Sequence, residues 1–197
     1  MNVFIPYADP FMVAETLDNK RRHKQTIECG WMMNLQNDRT QKHPACMMWR
    51  PHHEYLKAYK ACLENYRLGD MISAKQAANS AFKFIPDFLC LESLLLQHRR
   101  RLYTKDTSYY AQFYSLGETF TNWYILIACD GHYILKKTEN NVYLPDEDIT
   151  ELIQSRKDAW ERVKANALAG TLNDKQALWW HYYIGNFPYR DDRGNIL

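Results

Sequence analysis

A change of pattern near residue 120 constrains the fold more than any other feature of the chain. Before it, apolar residues recur at helical spacing, as in Tyr55, Tyr59, Cys62 and Leu63. After it, two apolar runs flank Asp130-Gly131, a pair typical of a tight turn between antiparallel strands. We therefore expect helices in the first part of the chain and a β-hairpin over about residues 123–137.

Prolines, glycines and capping residues divide the helical parts into segments. The predicted helices cover about Phe11–Asn19, Arg21–Leu35, Pro51–Tyr66, Asp70 to before Pro86, Phe88–Tyr103, residues 146–168 and residues 173–185. Gly170 and Gly185 are the expected stops of the last two. The sequence thus predicts a mainly α fold: a compact helical unit over residues 1–115, and a C-terminal extension over residues 116–197 that packs on it.

The net charge of +2 over 197 residues hides an asymmetry. Residues 1–115 hold 16 lysines and arginines against 11 aspartates and glutamates, a net charge of +5. Residues 116–197 hold 9 against 12, a net charge of −3. The basic first part is therefore the part expected to meet an anionic partner.

Two observations limit the class of protein. The longest apolar run, residues 123–129, is far too short to cross a bilayer, which argues against a membrane protein. Five cysteines without a Cys-x-x-Cys pair, behind an N-terminal segment unlike a signal or transit peptide, are typical of reduced thiols in an intracellular protein. The expected location is therefore the cytoplasm.

Residues 20–24 carry five basic side chains, and Glu28 follows one turn later. Lys20, Lys24 and Glu28 are spaced by four, so they share one helix face. Such a face suits phosphate contacts together with a proton-transfer group. The alternative is a solvated helix with an ordinary Lys24–Glu28 pair.

Two further clusters have competing interpretations. Histidines 43, 52 and 53 suggest a metal, but their spacing fits no zinc motif, and we predict neither a metal nor a cofactor. The basic run 98–101, followed by Lys105 and several aromatic residues, suits phosphates and an unstacked base. It equally suits a helix C-terminus packed under an aromatic core.

Three blocks occur in a distinctive order. The first comprises Met1–Asp9, Leu17-Asp-Asn-Lys-Arg21, Lys24-Gln25 and Glu28; the second is His43-Pro-Ala with Met48-Trp49; the third is His98-Arg99, Leu102, Lys105-Asp106, Tyr110 and Phe113. Together they resemble the pyrimidine-dimer DNA glycosylase (endonuclease V-like) family over about residues 1–115. Ile27 stands where an arginine precedes the glutamate in well-studied members, and Thr107 stands where the third block usually has proline.

The resemblance implies a DNA glycosylase that acts on damaged or modified pyrimidines, with an AP-lyase step, in a bacterial or phage-infected cell. In that family the N-terminal α-amine attacks C1′ of the damaged nucleotide, the base leaves from an imine, and β-elimination cuts the strand. The position of the glutamate falls on Glu28, and the amine belongs to Met1 or to Asn2, depending on whether the first methionine is removed. A neutral fraction of an α-amine at pH 7 suits this attack.

The resemblance also implies binding to double-stranded DNA with an extruded nucleotide, and therefore basic contacts around the lesion. The candidate contacts are Lys20, Arg21, Arg22, Lys24, Arg50, His98, Arg99, Arg101 and Lys105. We expect a monomer, with residues 116–197 available to a protein partner. Two alternatives remain: a catalytically inactive DNA- or protein-binding protein on this fold, and an enzyme for an altered base other than a dimer.

Overall fold

The computed structural model describes residues 3–34, 36, 42–114, 122–127, 132–139, 142–185, 189, 191, 193, 195 and 197. Its α-helices are α1 Pro10–Thr16, α2 Asn19–Met33, α3 Pro44–Trp49, α4 His53–Arg67, α5 Met71–Phe82, α6 Glu92–Lys105, α7 Thr107–Tyr110, α8 Thr150–Ala169 and α9 Asp174–Trp179. Shorter helices occupy Arg50–His52 and Asp87–Cys90 (3-10) and Trp180–Ile184 (π). The mainly α fold predicted from the sequence is confirmed.

Side-chain caps fix where the N-terminal helices begin. The Asp9 carboxylate accepts from the Phe11 amide at 2.8 Å, and Pro10 occupies the first turn of α1. Asp18 accepts from the Arg21 amide at 2.9 Å and starts α2. Asp70 accepts from the Ser73 amide at 3.0 Å, which confirms the predicted start of α5.

The predicted hairpin is confirmed in the strands β1 Asn122–Ile127 and β2 Tyr133–Glu139, which pair antiparallel. The predicted Asp130-Gly131 turn lies outside the described residues. Two short strands, β3 Val142–Tyr143 and β4 Glu147–Asp148, both pair with β2.

The start of α8 is a correction to the sequence prediction. Residues 146–149 were expected to be helical, but Glu147 and Asp148 pair with Leu135 and Ile134 of β2. The helix begins only at Thr150, whose amide donates to Asp148 Oδ1 at 2.8 Å. Sheet pairing with a distant strand therefore prevails over local helix-start preference.

The C-terminal part ends at the predicted glycines. Gly170 closes α8 with a φ of 70°. Asn173 opens α9 with a capping box, and Gly185 ends the π-helix with a φ of 98°. A Cβ on Gly185 would lie 2.7 Å from Asp9 Cβ, so this glycine also permits a close approach to the start of α1.

A shared hydrophobic core includes side chains of both parts of the chain. The Phe82 and Trp180 rings pack edge to face with centroids 5.5 Å apart. The Asp9 amide donates to the Ile184 carbonyl at 2.8 Å, and the Tyr189 hydroxyl donates to the Asp9 carboxylate. These contacts hold the C-terminal segment against the start of α1. Among the described residues, no helix is long and apolar enough to span a membrane.

Candidate active site at Glu28

Glu28 lies in the second half of α2, at the edge of its buried face, and is only 5% exposed. Gln25 Nε2 donates to Glu28 Oε2 at 3.0 Å. Lys24 Nζ lies 3.8 Å from Glu28 Oε1 and extends into solvent, with its side chain 70% exposed. A nearly buried carboxylate therefore lies beneath an exposed cation, with donors facing its oxygens.

Gln25 connects this carboxylate to the N-terminal segment. Its Oε1 accepts from the Phe4 amide at 2.8 Å while its Nε2 donates to Glu28. The Tyr59 hydroxyl donates to the Phe4 carbonyl at 2.9 Å, so both backbone groups of Phe4 are held. A single side-chain amide thus separates the backbone at residue 4 from the Glu28 carboxylate.

Helix α6 holds the same N-terminal segment from another side. Arg99 Nε donates to the Pro6 carbonyl at 2.8 Å, and its guanidinium lies 4.3 Å from the Tyr7 ring centroid. The His98 ring meets the Phe4 ring edge to face at 6.2 Å. Burial, assisted by the positive charge of Arg101, lowers the pKa of His98 to about 3, so this imidazole is neutral at pH 7.

Three of the predicted DNA contacts are buried: Arg22, His98 and Arg99. Arg22 Nε donates to the Ala14 carbonyl at 2.9 Å and Nη2 to the Leu17 carbonyl at 2.6 Å. These donors are directed at the backbone of the fold, as is that of Arg99. Arg21 is half-buried and binds the Asp18 carboxylate.

The other predicted contacts are accessible. Lys20, Lys24, Arg50 and Lys105 are exposed, and Arg101 is half-buried. Lys105 Nζ lies 5.9 Å from the Phe4 ring centroid, which brings the end of α6 to the N-terminal segment beside Gln25. Met1 and Asn2, the predicted nucleophiles, lie outside the described residues.

His43 and the described cysteines have structural surroundings that explain them without a metal or a nucleophilic role. His43 Nδ1 accepts from the Ala45 amide at 3.1 Å and caps α3. The described cysteines are buried, and burial raises the pKa of Cys90 to about 12, which disfavours a thiolate nucleophile. Within the described ranges, no group of three or more histidine, cysteine, aspartate or glutamate side chains could hold a metal ion.

Gln25 belongs to the first motif block, but the sequence did not predict a role for its side chain. The available indication was its spacing: Gln25 precedes Glu28 by three residues, so the two side chains are neighbours on α2. Its other partner, the Phe4 amide, lies 21 residues away in the chain, and no local sequence pattern predicts that contact.

The first third of the chain, which holds this site, is similar to a known protein family. No curated protein and no solved structure gives a significant match. A family model described as pyrimidine dimer DNA glycosylase matches residues 1–65. The predicted resemblance is thus confirmed over the segment that carries Gln25 and Glu28, and residues 1–65 are similar to the pyrimidine dimer DNA glycosylase family.

Proposed function

We propose that this chain is a DNA glycosylase that removes damaged or modified pyrimidines from double-stranded DNA and then cuts the strand by an AP-lyase step. The observation that carries the proposal is the Gln25 amide, which joins the Phe4 backbone to the Glu28 carboxylate. Both groups lie within the residues that match the family model.

The N-terminal amine can reach this region by chain length alone. An extended chain spans at most about 3.3–3.6 Å per residue, so the nitrogen of residue 1 lies within about 11 Å of the Phe4 nitrogen. Gln25 and Tyr59 hold both backbone groups of Phe4, so in this proposal an amine on residue 1 or 2 is tethered a few residues from the Gln25–Glu28 pair. Such confinement raises its effective concentration at a bound nucleotide.

The proposed reaction uses two groups of this chain. The neutral amine attacks C1′ as the glycosidic bond breaks, and the base leaves with its electron pair and takes up a proton. The amine nitrogen then loses a proton and expels O4′, which takes up that proton, so the sugar ring opens and a protonated imine forms at C1′. The resulting imine acidifies the C2′ hydrogen, which Glu28 removes as the C3′–O bond breaks and the phosphate leaves. Glu28 in its ionised form also stabilises the cationic sugar, and water hydrolyses the imine to release the enzyme.

Of the nine predicted contacts, the proposed DNA contacts are the exposed Lys20, Lys24, Arg50 and Lys105 and the half-buried Arg101, whereas Arg21 is paired with Asp18. Lys24 and Lys105 approach Glu28 and Phe4 from different helices, so they can neutralise phosphates on both sides of a lesion. In this proposal the buried Arg22, His98 and Arg99 support the site instead of binding DNA.

The test is borohydride trapping on duplexes containing an abasic site, a pyrimidine dimer or a modified pyrimidine. We expect a covalent adduct with the wild-type protein, and we expect Glu28→Gln to reduce turnover by at least about 100-fold while lesion binding persists, because the amide cannot accept the C2′ proton.

Glu64→Gln is the matched control. Glu64 also pairs with a lysine four residues away, at 2.6 Å from Lys60 Nζ, but its side chain is 40% exposed. This variant should retain full activity. Binding without any adduct or base release would support the catalytically inactive alternative and exclude the enzyme. Adduct formation on the modified pyrimidine but not on the dimer would select the altered-base alternative.

A further inference from the structure

The outer face of α2 carries four exposed side chains in one line. Lys20, Lys24, Ile27 and Trp31 are spaced by four, three and four residues, so they lie along the same face of the helix. The first two are cationic and the last two apolar. Ile27 is 40% exposed and Trp31 is 55% exposed.

Among the tryptophans whose burial the structure describes, Trp31 is the most exposed. Trp49, Trp160 and Trp180 are at most 4% exposed, and each packs against other rings. Within the part of the chain that the structure describes, Trp31 takes part in none of the ring contacts. Its large apolar surface is therefore available to a planar partner.

The exposed pair flanks the candidate active site. Trp31 follows Glu28 by three residues, so the two positions are neighbours on the surface of α2, and Ile27 lies one turn before Trp31 on the exposed face. Lys24 Nζ lies 3.8 Å from the same carboxylate. The surface around Glu28 thus combines an aromatic apolar side with a cationic side. That combination fits the flat faces of bases together with their phosphates.

We propose that Trp31, supported by Ile27, stacks on a nucleobase left without a stacking partner when the target nucleotide leaves the duplex. The inference rests on the proposed function. A base exposed by extrusion loses stacking, and an apolar side chain placed in the gap recovers part of that loss. The lysines on the same face carry the charge complementary to the flanking phosphates, which favours DNA over an apolar protein surface as the occupant.

The experiment measures dissociation constants for two duplexes of the same sequence, one containing a tetrahydrofuran abasic analogue and one intact. The analogue cannot react through C1′, so binding is measured apart from chemistry. We expect Trp31→Ala to weaken binding of the abasic duplex by about 5- to 150-fold, the range expected for loss of one stacked base. Binding of the intact duplex and its salt dependence should not change.

Two variants make the result specific. Trp31→Phe keeps an aromatic face and should recover most of the lost affinity. Leu178→Ala removes another exposed apolar side chain, 70% exposed on α9, and should change neither affinity. Circular dichroism and urea unfolding establish that each variant is folded.

Several results would overturn the inference. These are an unchanged affinity of Trp31→Ala for the abasic duplex, equal weakening on both duplexes, or no recovery with phenylalanine. Dimerisation of the wild-type protein that Trp31→Ala abolishes would assign this face to a second copy instead. If the wild-type protein still forms a borohydride adduct, only the stacking inference fails. If it neither forms the adduct nor prefers the abasic duplex, the proposed function fails as well.

Discussion

Replacing Gln25 by methionine tests the connection between the N-terminal segment and Glu28. Methionine has a similar length but forms neither hydrogen bond. The variant leaves the Phe4 amide without its 2.8 Å acceptor and the Glu28 carboxylate without its 3.0 Å donor. A bond between neutral groups is worth about 1 kcal/mol and one to a charged group about 1.5–3 kcal/mol, so we expect a loss of about 2–4 kcal/mol in unfolding free energy.

Urea unfolding measures that loss. With a slope of about 2 kcal/mol per molar, the midpoint should fall by about 1–2 M. Without urea the variant should remain folded, and trapping on an abasic duplex should still slow by about 10- to 100-fold, because the amine is no longer held in position. The control is Gln176→Met, which removes an amide from the capping box of α9 and should leave trapping unchanged. A Gln25→Met protein that loses stability but reacts at the wild-type rate would refute the positioning argument.

Two other predictions concern stability. Gly185→Ala should cost about 2–5 kcal/mol, because the new Cβ meets Asp9 Cβ at 2.7 Å and φ is 98°, whereas Gly69→Ala, with φ of 81° and open space, should cost about 1–2 kcal/mol. Thermal or urea unfolding of the two variants checks this, and equal losses would contradict it. His98 has a folded-state pKa of about 3 because of burial, below the ordinary 6.5, so the unfolded protein binds the proton first as pH falls. Stability should therefore decline below pH 6.5 by up to about 1.4 kcal/mol per pH unit, and His98→Gln should flatten that decline in urea titrations between pH 7 and 4; an unchanged slope would argue against a buried neutral imidazole.

Local patterns predicted the parts of the fold that depend on neighbouring residues. Capping residues such as Asp70 and stops such as Gly170 act within one helical turn, and both are confirmed. The boundary at residue 150 was not predictable in the same way, because β4 exists only through pairing with β2. Likewise, the predicted helix over residues 88–103 begins with a 3-10 turn, and α6 starts at Glu92 after an extended Leu91.

The basic residues show the same division between local and distant interactions. A run of charges in a sequence does not reveal which side chains turn inward. Arg22 and Arg99 are buried because their guanidinium groups bond to backbone carbonyls 8 and 93 residues away in the chain. Both were predicted as DNA contacts together with Lys24, which the structure shows to be exposed. The division of the chain at residue 115 stays a prediction.

Residues 179–183 form an aromatic run near the C-terminus, and its two tryptophans take part in packing. Trp180 is 4% exposed and stacks near Trp160, while Trp179 donates to the Glu92 carboxylate. These contacts place the described indoles of the run in the core between α8 and the first part of the chain. Among the tryptophans whose burial the structure describes, the exposed one is Trp31 on α2, three residues after Glu28.

Mapping the borohydride-trapped adduct tests directly whether the N-terminal α-amine is the nucleophile. The wild-type protein is reduced on an abasic duplex and digested, and mass spectrometry identifies the modified peptide. We expect a sugar remnant on the α-amine of the N-terminal residue, Met1 or Asn2, and a strong reduction of the adduct in Glu28→Gln. An adduct confined to a lysine side chain, or no adduct from protein with an intact N-terminus, would contradict this expectation.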